Sequence, residues 1–181
     1  MGNNCRVAPA ELPGVLTVSS TGPVGYPGYD LWSADCSSVG MSRVDVTAPG
    51  GDYLRATGLV QDAVLAATSS TGALYASYAP LDAFYPGIVT TDGGGFYLYL
   101  NGTSMSSPHA AGVAALVKQV HPTWSPDAVK AAVERSAQHL DCPVDWSPLS
   151  GNDERERCYG GDGRTSFFGH GMVDAAAATQ Q

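Results

Sequence analysis

The stretch from Phe96 to Val120 constrains this chain more than any other. Phe96-Tyr97-Leu98-Tyr99-Leu100 is an unbroken run of aromatic and aliphatic residues and reads as a strand. Asn101-Gly102-Thr103 interrupts it, and a helix is expected from Ser104 to about Val120. Ala110, Ala111, Val113, Ala114, Ala115, Leu116 and Val117 put apolar groups on nearly every face of that helix, and its first charge is Lys118. A helix apolar all round is expected to be buried. Pro108 falls at the edge of the first turn, where a missing N–H costs at most one hydrogen bond.

Elsewhere, strands come first and helices later. Val15-Leu16-Thr17-Val18-Ser19 reads as a short buried strand between Pro13-Gly14 and Gly22-Pro23. Val44-Asp45-Val46-Thr47-Ala48 is a second, stopped by Pro49-Gly50-Gly51. Residues 53 to 95 read as a long insertion with short elements of its own. Within it, Asp62 to Ala67 suits either a strand or a helical turn, and Asp92-Gly93-Gly94-Gly95 is a flexible turn. Its aromatic residues, Tyr75, Tyr78, Phe84 and Tyr85, either shape a substrate groove or pack the insertion onto the body; packing is the expectation. A second helix opens at Ser125-Pro126-Asp127, where Ser suits the cap, Pro the first turn and Asp the helix dipole. It runs to about Ala137 behind a stripe of Ala128, Val129, Ala132 and Val133. Residues 141 to 166 read as a polar loop that a Cys142–Cys158 bond would close on itself, and an Ala-rich helix ends the chain. No repeat or linker divides residues 1 to 181.

Composition narrows the function classes. Only 14% of residues are charged, against about 25% in an ordinary domain, and the net charge is −8. No basic stripe exists to neutralise phosphates, so nucleic acid is not an expected partner. No apolar run approaches the roughly 20 residues of a membrane span. The first residues lack the profile of a signal peptide. Cys5, Cys36, Cys142 and Cys158 form no C-x-x-C pair, which removes support for zinc or thioredoxin chemistry. An even count suggests two disulfides, with three pairings open, and hence an oxidising compartment.

Ser104 sits where the strand gives way to the helix. The free N–H groups of a first helical turn, and the positive end of the helix dipole, would face a substrate carbonyl beside its Oγ. A nucleophile and a plain N-cap are both compatible with this local pattern. The G-x-S-x-G elbow is not, because Ser106 stands where that motif needs Gly.

Gly102-Thr103-Ser104-Met105-Ser106-Ser107-Pro108-His109-Ala110-Ala111-Gly112 resembles the serine-nucleophile motif of the subtilisin-like serine peptidases, the subtilases. Pro13 to Val18, Ser37 to Gly40 and Val44 to Gly51 are similar to segments upstream of that motif in the family, in order. His121 to Pro126 and Phe168 to Ala175 are similar to two downstream segments. The resemblance covers nearly the whole chain except the insertion and the Cys-bounded loop. It implies a doubly wound, mostly parallel α/β sheet, of which this chain supplies the later strands and helices and lacks the N-terminal side. It implies that Ser104 is the nucleophile and that Asn3, in Gly2-Asn3, donates its side-chain amide to the oxyanion together with the Ser104 N–H.

A serine nucleophile needs a base and an orienting acid. In the family the acid lies in an Asp-Ser/Thr-Gly motif and the base in a His-Gly-Thr-His-like motif, both before the oxyanion Asn. Neither motif occurs in these residues, and Asp92-Gly93-Gly94 is no substitute. His109 lies about 140° around the helix from Ser104 and cannot reach its Oγ. His121, His139 and His170 read as surface or capping residues.

The expectation is therefore the C-terminal portion of a secreted serine endopeptidase domain, inactive without its N-terminal half and acting on peptide or protein substrates. Alone, it should leave strand edges and one face of the Ser104 helix uncovered. No redox or organic cofactor is expected; the resemblance implies calcium, but no acidic loop has ligand spacing. The sequon Asn101-Gly102-Thr103 overlaps the nucleophile turn and reads as coincidence. Two rival readings differ in class. One is a catalytically dead remnant that binds peptide or a partner chain through an open sheet edge; the other is a serine hydrolase of esterase type.

Overall fold

The computed structural model describes residues 10, 12–24, 30–33, 44–52, 58–142, 158–161 and 163–181. Strand β1 (Val18–Val24) is the centre of the first sheet. On one side it pairs in parallel with β3 (Val46–Pro49), from Val18 opposite Val46 to Thr21 opposite Pro49. On the other it pairs antiparallel with β2 (Asp30–Ser33). A parallel bridge from Thr47 to Met172 brings the C-terminal segment alongside β3. The first strand starts later than its β-branched run suggested, because the Thr17 N–H goes to the Asp45 carboxylate at 2.8 Å.

Helix α2 (Thr103–Val120) packs on this sheet, and α3 (Pro126–Ser136) and α4 (Ala175–Thr179) pack against α2. Val46 of β3 shares one buried core cluster with Val113 and Val117 of α2, Val129, Ala132 and Val133 of α3, and Ala178 of α4. Each fully buried valine of this kind contributes about 1.5–3 kcal/mol. The Ser125 cap is the one the sequence called for; the cap at Asp174 emerges only in the structure. Ser125 Oγ accepts from the Ala128 N–H at 3.2 Å, and Asp174 Oδ1 accepts from the Ala177 N–H at 2.9 Å. A mostly buried ionic cluster ties the layers together: Asp45 accepts from Lys130 of α3 and lies 3.6 Å from Arg164, while Lys130 also reaches the Val15 carbonyl at 2.8 Å.

The expectation of a helix buried on every side is corrected. In α2 only Ser106, Ala110, Val113 and Val117 are buried, and they form one stripe. Ala111, Gly112 and Ala115 are exposed, Leu116 is 44% exposed and Val120 53%. An apolar circumference shows that a helix tolerates burial; which sides are covered depends on neighbours, and among the described residues these lie on one side only. The expectation of one uncovered helix face describes α2 as it stands.

Residues 58 to 100 build a second sheet in the order β4-β6-β5, antiparallel throughout: β4 (Val64–Thr68), β5 (Val89–Asp92) and β6 (Gly95–Leu100). Helix α1 (Ala73–Tyr78) and a 3₁₀ turn, Ala79–Ala83, connect β4 to β5. The ambiguity at Asp62 to Ala67 resolves as a 3₁₀ turn ending at Asp62 and a strand from Val64. Asp92 to Gly95 closes the β5–β6 hairpin, with φ of +55° at Gly93 and +84° at Gly94. A two-residue loop with both central φ values positive matches the right-handed twist of its strands, and glycine enters that region without strain. This unit has its own small core, Val60 and Ile88 with Tyr78, Leu81, Tyr85 and Tyr99 around them. Tyr75 packs edge-on against Phe96 at 5.5 Å, whereas Phe84 is 78% exposed.

Cys142 and Cys158 are disulfide-bonded across a separation of 16 residues, beside the small hairpin of β7 (Gly160–Gly161) and β8 (Arg164–Thr165). Cys5 and Cys36 lie outside the described residues. A loop of this length closed by a disulfide is worth about 3 kcal/mol. Urea unfolding without reductant is expected to separate the unmodified protein from its Cys142→Ser, Cys158→Ser form by that amount. Equal midpoints for the two would show that the bond does not constrain the loop. Among the described residues no helix is long and apolar enough to cross a membrane.

Candidate active site

Strand β6 ends at Leu100 and helix α2 begins at Thr103. The chain makes that change at Gly102, whose φ of +141° and ψ of 171° are open to glycine and strained for other residues. Both polar groups of Gly102 are held. Its N–H donates to the Gly50 carbonyl at 2.9 Å, and its carbonyl accepts from the Met105 N–H at 2.9 Å and the Ser106 N–H at 3.3 Å. Gly102 is the N-cap of α2, so the capping reading of Ser104 is corrected: Ser104 is the second residue inside the helix, and it is exposed. Its N–H lies ahead of the amides that Gly102 satisfies, where a helix has no intrahelical acceptor to offer. Its carbonyl lacks the usual donor four residues on, because that residue is Pro108.

The platform under this turn extends the site to residues far from Ser104 in the chain. Pro49-Gly50-Gly51 looked like a strand stop, and it is one, but Gly50 is also buried against the turn. A Cβ there would lie 2.0 Å from Ser20 Oγ, 2.3 Å from Ser106 Oγ and 2.7 Å from the Gly102 carbonyl oxygen. The Gly50 N–H in turn donates to the Thr21 carbonyl of β1 at 2.9 Å. One glycine therefore transmits the position of the parallel β1–β3 pair to the turn carrying Ser104.

The other candidate residues fall as follows. Asn3 lies outside the described residues. His109 is exposed and its Nδ1 is 2.8 Å from the Met105 carbonyl, on its own helix. His121 caps the end of α2 and stacks on Trp124 at 3.8 Å. His139 pairs with the exposed Asp141 at 3.1 Å, and the His170 N–H donates to the Asp45 carbonyl at 2.8 Å. None of these histidines is bonded to Ser104 in the described structure. Among the described residues no three His, Cys, Asp or Glu side chains group as a metal site.

The described residues thus combine an α/β layering with an exposed serine at the head of a helix, backed by glycine-tight contacts. The profile of the Subtilase family matches residues 1–171, and the chain belongs to that family. It is 62% identical over 50 residues to a subtilisin-like protease of Arabidopsis thaliana, which is 28% of this chain and 7% of that protein. It is 38% identical over 104 residues to the M-protease of Shouchella clausii, covering 56% of this chain and 22% of the relative. Among solved structures, fervidolysin of Fervidobacterium pennivorans, a keratinolytic enzyme related to subtilisin, matches 96% of this chain with a TM-score of 0.63 and 26% identity. A protease of Pseudoalteromonas arctica matches with a TM-score of 0.58 and 28% identity. The chain spans 20% and 37% of those two structures. The subtilisin-like α/β fold is thereby shown.

Proposed function

We propose that residues 1 to 181 are the nucleophile-bearing part of one subtilisin-like serine endopeptidase domain, with an insertion at about 53–95, acting on peptides or proteins outside the cell. The observation that carries this reading is the exposed Ser104, two residues past Gly102, which Gly50 and Ser106 grip. Ser104 Oγ attacks the scissile carbonyl carbon, and a base takes its proton. The carbonyl oxygen becomes an oxyanion held by the Ser104 N–H and the Asn3 side-chain amide. Collapse expels the amine leaving group, which receives that proton, and leaves an acyl group on Ser104; water then releases it as the acid. No redox or organic cofactor enters. Neither the Asp nor the His motif occurs within these residues, so on this reading both come from sequence outside them. The 181 residues by themselves are expected to be inactive.

A fluorophosphonate probe tests the reading. It is expected to label the full-length protein at Ser104, mapped by mass spectrometry, and to fail on the isolated 181 residues. Peptide substrates are expected to be cleaved in preference to simple esters. Absence of labelling in the full-length protein would favour a peptide-binding remnant. Labelling with ester cleavage only would favour an esterase.

A further inference from the structure

Ser106 has no solvent exposure, and it stands at the position where its Oγ faces back to the turn rather than out to a substrate. That oxygen is 3.5 Å from the Gly102 carbonyl, which the Ser106 N–H also approaches at 3.3 Å. Back-bonding of a helical serine to the fourth residue before it is common. Here the acceptor is unusual: it is the carbonyl of the one residue that converts strand to helix, with φ of +141°. From the opposite side, the Gly50 carbonyl holds the same residue's N–H at 2.9 Å. Gly50 also shapes the space for the hydroxyl, since a Cβ at Gly50 would lie 2.3 Å from Ser106 Oγ.

We propose that Ser106 is a positioning residue for the nucleophile, on the reading of Ser104 given above: its hydroxyl steadies the Gly102 carbonyl, and so fixes the orientation of Ser104 and of its N–H. The residue touches no substrate. It acts through the peptide plane of Gly102, two residues before the reacting oxygen. A lost neutral hydrogen bond corresponds to roughly a two- to tenfold change in an equilibrium. The expected effects are accordingly moderate and confined to the turn.

The test is Ser106→Ala in the full-length protein, a change that removes one oxygen from a filled site and adds no bulk. Three measurements are made: amide hydrogen exchange across residues 101–107, peptide hydrolysis kinetics, and the urea midpoint. Exchange in that segment is expected to rise about three- to tenfold, kcat to fall by a similar factor, KM to stay within about twofold and the midpoint to hold. Unchanged exchange overturns the proposal. So does faster exchange with unchanged kcat, or a fall in kcat that merely follows a fall in the midpoint. If the unmodified protein neither hydrolyses peptides nor takes the fluorophosphonate probe, the nucleophile reading fails, and the exchange result still shows whether Ser106 holds the turn.

Discussion

Alanine at position 104 is expected to abolish peptide hydrolysis by the full-length protein. The loss should be on the order of 10⁶ in kcat, the magnitude known for the nucleophile of subtilisin itself. KM should change little, because the hydroxyl forms and breaks a bond in the transition state and contributes little to holding the ground-state peptide. Asn3→Ala is expected to be milder, about 10²–10³ in kcat, again the size known for the oxyanion asparagine of subtilisin. The two changes should not add. Without a nucleophile no tetrahedral oxyanion forms on Ser104, so removing its donor as well has little left to weaken. Active-site titration followed by initial-rate kinetics on the single and double variants measures all of this. Retention of more than a few per cent of activity by Ser104→Ala would remove Ser104 from the chemistry.

Gly50→Ala is expected to be the most damaging substitution outside the reacting groups. The added methyl carbon would sit 2.0–2.7 Å from two hydroxyl oxygens and a backbone carbonyl. Contacts that short do not persist, so something must move. The carbonyl of Gly102 is least free to do so, because three amide contacts anchor that residue from both sides. Overpacking a filled site costs about 1–3 kcal/mol. Displacement of a nucleophile by about 1 Å can cost 10²-fold in rate. The expected result is a lower urea midpoint together with a drop in kcat of about two orders of magnitude. An alanine variant with unchanged stability and full activity would show that the turn can shift without consequence. The same substitution at Gly93, where a Cβ meets nothing within 4 Å, serves as a control: it should lose about 1–2 kcal/mol through its positive φ and leave kcat alone.

Much of the architecture was legible because it depends on local signals. Ser125-Pro126 starts a helix whatever surrounds it, since the cap satisfies an orphan amide and the proline removes another. Gly93-Gly94 turns a hairpin because few other residues enter that region of φ. The nucleophile turn was legible for a different reason: a run of eleven residues, Gly102 to Gly112, resembles one family's motif closely. What the sequence concealed were surfaces and distances. Leu116 and Val120 are as apolar as Val113 and Val117, yet the first pair is exposed and the second buried. No pattern of hydropathy separates them, because the difference lies in which neighbours exist on each side.

Sequence alone placed strands near residues 15–19, 44–48 and 96–100, helices from about Ser104 and from Ser125, and a hydroxyl at the strand-to-helix junction that His109 cannot reach along the helix. Those follow from dihedral preferences, capping chemistry and helical pitch, all of which act over a few residues. Tertiary structure alone decided that Gly102 rather than Ser104 caps the helix, that Gly50 is the anvil beneath the turn, and that Asp45 joins strand, helix and hairpin through Lys130 and Arg164. Each of these depends on contacts between segments far apart in the chain, from 30 residues (Ser20 to Gly50) to 119 (Asp45 to Arg164), which no local rule encodes.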